Sequence, residues 1–152
     1  MTSGKLSKRV IVDRLAWIER MVKEICALPL DDRASFLSDS RNVWTAESCL
    51  RRTLEALFDL GRYILAKGFG VGASEYKEIA QQLAVYEVMS QDNAKLLVIF
   101  AGYRNRLVHF YHEVSPDELL EICSTGITDI EQVTQAYRRW IKSHHHLFDE
   151  AL

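Results

Sequence analysis

Only two prolines and seven glycines punctuate the 152 residues. So few breakers leave little room for turns, which disfavours a many-stranded sandwich and favours long helices. Cysteine is equally sparse: Cys26, Cys49 and Cys123 are odd in number, far apart and without C-x-x-C spacing. That argues against a disulfide framework and a zinc site, and for small buried apolar residues in a reducing cytoplasm. The longest apolar run, near Leu96 to Gly102, is too short to span a bilayer. The stretch Met1 to Ser7 carries no apolar signal region. A strong charge bias is missing too. The net charge of -2 and pI of about 6.2 lack the basic excess of a dedicated nucleic-acid coat. Any such contact must come from a local basic cluster in a cleft. There is no P-loop, no G-x-G-x-x-G, and no Gly-Ser followed by paired Asp-x-Asp, so the chain does not read as a nucleotidyltransferase.

What is present is enough apolar material for a core, at 48% hydrophobic and 26% charged residues, which argues against disorder. With no repeat, linker or low-complexity tract, residues 1–152 read as one domain. Val10, Leu15, Trp17, Ile18, Met21, Val22 and Ile25 recur near helical spacing and predict a first helix from about Ser7 to Ala27, ended by Pro29. Residues 30–40 read as a loop or a short helical turn. Leu50, Leu54, Leu57, Phe58 and Ile64 form the stripe of a second helix, about Val43 to Lys67, stopped by Gly68, Gly70 and Gly72. Ser74 is the expected N-cap of a helix through about Val88, and Ser90 to Asn93 can cap another over roughly Gln91 to His112. Ser115-Pro116-Asp117-Glu118 combines Ser at the cap, Pro at the first helical position and Glu three residues on. Thr125-Gly126 is an expected break in that last helix, which resumes to about Leu147. The pattern is an all-α antiparallel bundle of four to five main helices.

The informative words are Arg104-Asn105-Arg106-Leu107-Val108-His109-Phe110-Tyr111, directly after an apolar run. Arginine presents a planar fork of donors that matches phosphate geometry. The histidine side chain gives or takes a proton near neutral pH. Together they suggest RNA cleavage without a metal. On a straight helix Asn105 and His109 share a face, being four apart. Arg104 and His109, five apart, stand about 140° from each other. One straight helix therefore makes a poor clamp. A long Arg side chain, fraying before Ser115 or a second subunit would each repair it. The last favours a symmetric homodimer with a composite cleft, part of its interface coming from the Leu96–Phe100 run.

Arg104-Asn105-x-x-x-His109-x-Tyr111 resembles the R-x4-H-x-Y signature of HepT toxins, a branch of the HEPN superfamily. Leu107-Val108-His109 and Val114-Ser115-Pro116-Asp117-Glu118-Leu119 resemble that branch too. The resemblance implies a HEPN-type bundle acting as a homodimer, and a metal-independent endoribonuclease that is the toxin of a toxin–antitoxin pair. It also implies a minimal nucleotidyltransferase antitoxin that transfers AMP to the motif tyrosine, here Tyr111. The mild acidity of the chain suits a structured RNA such as tRNA better than long, non-specific RNA. The expected chemistry is attack of a ribose 2′-OH on the adjacent phosphorus. His109 would act as general base or acid, Arg104 would stabilise phosphoryl charge, and Asn105 would orient His109 or hold a phosphate oxygen. No cofactor, metal or membrane is called for.

Each residue also has a plainer reading. His109 alone would be a core histidine bonded to a carbonyl, and Tyr111 an aromatic at a helix end. Arg106 is a possible RNA contact but reads slightly better as a salt bridge. Arg51 and Arg52 border the cleft or are solvated. His112 and His144-His145-His146 read as exposed; three consecutive histidines on a helix point in three directions and make a poor metal cage. Trp17, Trp44 and Trp140 read as core or interface rather than base-stacking platforms. Two alternatives compete with a nuclease: a non-catalytic HEPN module binding a nucleotide or partner, and a structural helical dimer in which the motif is a polar network.

Overall fold

The computed structural model describes residues 5–109 and 114–149. Six α-helices and one 3-10 turn follow in order: α1 (Lys8–Cys26), α2 (Arg33–Ser38), α3 (Ser40–Phe69), α4 (Tyr76–Val85), α5 (Gln91–His109), α6 (Pro116–Ser143) and the turn His145–Leu147. Five of these are long, and the only β-type pairing among the described residues is a single bridge between Leu6 and Phe148. The expected all-α bundle is what forms.

The core stripe of α3 follows its sequence period. Leu50, Leu54, Leu57, Phe58, Leu60 and Ile64 are all buried, and α1 lies along them through Ile11, Leu15, Ile18, Met21 and Ile25. Val10, Trp17 and Val22 sit at the edge of that contact. Gly70 closes α3 in the left-handed region at φ 66°, where glycine carries no Cβ penalty. Gly61 allows a close crossing. A Cβ there would stand 2.7 Å from the Tyr137 hydroxyl, itself fixed by donating 2.8 Å to the Leu57 carbonyl.

Of the two options for residues 30–40, the short helical one forms over residues 33–38, where the Asp32 carboxylate accepts from the Ser35 amide and caps it. Three local expectations change. Glu75, not Ser74, occupies the cap position of α4. The α6 helix runs unbroken through Thr125 and Gly126. One interior glycine costs about 1 kcal/mol relative to alanine, and buried Ile122, Cys123 and Ile130 on either side outweigh it. That helix stops at Ser143, and a 3-10 turn carries the chain to Leu147. The Ser115 cap is as expected, its hydroxyl accepting from the Glu118 amide at 3.1 Å. Ser90 likewise accepts from Asn93 at 3.1 Å before α5. Of the cysteines, Cys49 and Cys123 are buried but Cys26 is exposed. Burial pushes the Cys123 thiol up to about 12, so it stays an unreactive apolar filler.

The pairings fix the direction of α5. Asn93 accepts from Gln132 at 2.6 Å near its start, and Arg106 meets Glu118 near its end. So α5 runs antiparallel to α6 and brings its last two turns to the pole where α2 and the beginning of α6 meet. Arg33 joins these last two, reaching Asp117 at 2.5 and 3.0 Å. No described helix is long and apolar enough to cross a membrane.

Candidate active site

Arg104 leaves the buried side of α5 and turns into the bundle. Its Nη2 donates to Glu55 Oε2 of α3 at 3.0 Å, and its side chain is only 20% exposed. Glu55 is shared: Oε1 accepts from Arg51 Nη1, one turn earlier on α3, at 2.7 Å. The guanidinium carbon of Arg104 lies over the Tyr76 ring of α4, 4.9 Å from its centre. Tyr76 in turn stacks on Phe58 of α3, with ring centres 4.4 Å apart and planes 3° apart. Arg62 flanks the same ring at 6.0 Å and pairs with Asp59 at 3.3 Å. Burial raises the Tyr76 phenol above its ordinary value, partly opposed by the nearby Arg104 charge. Three arginines thus meet two carboxylates around one aromatic stack. This is a locally cationic cluster on an acidic protein, and it holds the Arg104 guanidinium between a carboxylate and an aromatic ring.

Asn105 and His109 face the other way. Both are exposed, as expected for residues four apart on one helical face. Gly102 is exposed on the side of α5 that carries His109, with exposed Ile99 flanking it, and nothing lies within 4 Å of a Cβ built on Gly102. The expected divergence of Arg104 and His109 within one chain is therefore real, and the helix does not fray to repair it before His109. Tyr111 and His112 lie outside the described residues.

Arg106 takes its plainer reading: it grips Glu118 with two bonds, 2.6 and 2.7 Å long. These bonds hold the Glu118 carboxyl below its usual range. They also divert the carboxylate from the back-bond of a capping box. Arg51 borders the site through Glu55, and Arg52 is exposed, donating to the Ser48 hydroxyl at 3.1 Å. Beside them a notch of about 250 Å³ opens between α1 and α3, lined by Arg14, Trp17, Arg51, Arg52, Glu55 and Asp59. A recess of about 710 Å³ lies between α1 and α6, is bordered by the Glu19–Arg138 ion pair, and is lined by none of the motif residues. Trp140 is buried as expected, stacked on His144, whereas Trp44 is 66% exposed and is not a core residue. His145 and His146 are exposed and His144 half-buried. Among the described residues no group of three or more His, Cys, Asp or Glu is placed to hold a metal ion.

Glu55 and Tyr76 carry the geometry of Arg104, and neither was singled out from the sequence. Arg51 and Glu55 do have the i,i+4 spacing of a helical ion pair. Nothing local marks Tyr76, whose role arises only when α4 packs on α3.

Residues 17–137 match the family model described as Ribonuclease HepT-like. Among curated proteins, the tRNA nuclease HepT of Aphanizomenon flos-aquae is 28% identical over 121 residues, covering 78% of this chain and 80% of that protein. Among solved structures, a tri-AMPylated Shewanella oneidensis HEPN toxin in complex with MNT antitoxin is similar, with a TM-score of 0.77 and 23% identity. The likeness covers 86% of this chain and 97% of that one. The cytosolic protein of unknown function YutE from Bacillus subtilis gives a TM-score of 0.76 at 16% identity, over 91% and 94% of the two chains. At these identities the solved structures establish the fold.

Proposed function

The chain belongs to the HepT-like ribonuclease family, and from that premise we propose that it is a toxin whose endoribonuclease site is built from Arg104, Asn105 and His109. The observation that carries this reading is the split of α5. Arg104 is clamped and oriented on one side by Glu55 and Tyr76, while Asn105 and His109 stand exposed on the other. Two copies related by a two-fold axis, meeting along the side of α5 that carries Ile99 and Gly102, bring Arg104 of one subunit toward His109 of the other. The absence of a side chain at Gly102 lets the two backbones approach. The whole chain then acts as one HEPN domain in a cytoplasmic homodimer.

In that cleft the 2′-oxygen of a ribose bonds to the adjacent phosphorus and the P–O5′ bond breaks. His109 takes the 2′ proton, and a proton is delivered to the departing O5′. Arg104 stabilises the charge gathering on the non-bridging oxygens. The curated relative is named a tRNA nuclease, and a structured RNA of that kind is the substrate class we assign. The similar Shewanella toxin is described as AMPylated and bound to an antitoxin. For this chain the corresponding control is AMP transfer to Tyr111 by a minimal nucleotidyltransferase, which places negative charge beside the cationic site and repels RNA.

Purified protein incubated with tRNA in excess EDTA should produce defined fragments ending in 2′,3′-cyclic phosphate and 5′-hydroxyl. Intact tRNA from a folded protein with an unmodified Tyr111 would overturn the assignment.

A further inference from the structure

Two-thirds of the surface of Trp44 is open to solvent, an unusual position for the side chain with the largest apolar area. Its place on α3 is informative. Trp44 and Glu55 are eleven residues apart, which at 100° per residue is three turns plus about 20°. Ser48, Arg51 and Arg52 fall between them on the same sector, all within about 60° of Glu55. The stripe therefore runs from the clamp on Arg104, past Arg51 and Arg52, to an exposed indole about 16 Å along the axis from Glu55.

The notch between α1 and α3 adds Arg14 and Trp17 beside the same residues. Glu55 is occupied by Arg51 and Arg104, and Asp59 by Arg62. Arg14 and Arg52 form no ion pair with a carboxylate among the described residues. The face thus gathers Arg14, Arg51 and Arg52 at its inner end, beside the Arg104 clamp, and is aromatic at its outer end. That is the pairing that binds a single strand of nucleic acid, with arginines following phosphates and an aromatic ring carrying a base. A duplex lacks exposed base faces to offer such a ring.

We propose that this face of α3 is a single-stranded RNA track leading from the cleavage site, and that Trp44 is its base-stacking platform. The track engages an unpaired loop or end of the substrate and places the scissile phosphate at Arg104. This rests on the ribonuclease reading above, since a partner protein could also cover an exposed indole. Continuity with the arginines is what favours RNA over that occupant.

The test uses the full-length chain carrying His109→Ala, so that RNA is bound and not cut, with a single-stranded oligoribonucleotide as the probe. Adding Trp44→Ala should weaken binding about five- to a hundredfold, the loss of one stacked base. Trp44→Phe should retain most of the affinity but lose the RNA-induced quenching of tryptophan fluorescence. In the cleaving protein, Trp44→Ala should raise KM by a similar factor with kcat nearly unchanged. Because the side chain is exposed, the melting temperature should hold. Unchanged RNA affinity in Trp44→Ala, with cleavage by the parent intact, overturns the track and leaves the nuclease standing. A change of oligomeric mass on substitution, with RNA affinity unchanged, overturns it in favour of a protein interface. If the parent neither binds nor cuts RNA, both readings fall together.

Discussion

His109→Ala should lower kcat for tRNA cleavage by about 10²- to 10⁴-fold, the span expected when a positioned acid–base group is removed. The melting temperature should fall far less than for a core substitution, because His109 is exposed on the last turn of α5. Added imidazole should restore part of the rate if the missing function is proton transfer. It should do nothing if the histidine only braced the helix end. A mixing experiment separates the composite cleft from a site within one chain. Arg104→Ala and His109→Ala homodimers should each be inactive. If Arg104 of one subunit works with the partner's His109, subunit exchange regenerates one intact pair per heterodimer. Activity then returns to about a quarter of the wild-type level in an even statistical mixture. No recovery after demonstrated exchange would place both residues in the same chain. That outcome would require His109 to swing through most of the 140° that now separates it from Arg104. Growth arrest in cells, with new RNA ends that vanish in His109→Ala, would carry the same conclusion to the toxin reading.

Much of the architecture was legible because it is written locally. The helices α1, α3 and α6 bury stripes whose period is visible in the sequence, and Ser115 and Ser90 announce their helices through hydroxyls that accept from nearby amides. What was open or misread falls where tertiary packing decides. The α2 helix has six residues, too few to show a period, so a loop and a short helical turn both stood open there. The cap of α4 lies one residue from the expected serine, and its first residue, Tyr76, stacks on Phe58, a contact no window around Ser74 contains. Gly126 did not break α6, since the apolar residues around it are held by the rest of the core. The same limit applies to the site. The Arg104–Asn105–His109 words could be read directly, and their helical geometry correctly separated Arg104 from His109. The clamp that orients Arg104 comes from Glu55, 49 residues away, and from an aromatic stack between two other helices. For Trp44 the sequence leaves core and interface both open, because tryptophan suits either, and only the surrounding packing shows that it is 66% exposed in the single chain.

Glu55→Gln is the change that asks whether the clamp matters to chemistry or only to stability. Glu55 divides its two oxygens between Arg51 and Arg104, so the neutral amide leaves two guanidinium groups close together with no carboxylate between them. The expected result is a fall in kcat of about 10- to 100-fold, with KM nearly unchanged. It is smaller than the loss of about 10²- to 10³-fold expected for Arg104→Ala, which removes the charge-stabilising group itself. Arg104→Lys should recover little, because an ammonium cannot reproduce the flat fork that lies over Tyr76. Stability should fall in both Glu55→Gln and Arg104→Ala, by roughly 1–3 kcal/mol, since the pair sits between the exposed and fully buried limits for ion pairs. A purely structural network predicts that loss and nothing more. Activity measured on the folded fraction, well below the melting temperature, would then be unchanged in Glu55→Gln. The double variant gives the final discrimination. If Glu55 acts through Arg104, adding Glu55→Gln to Arg104→Ala costs no further activity, and the two effects are strongly non-additive. Independent effects that multiply would mean that Glu55 serves the reaction through another group, with Arg51 the first to examine.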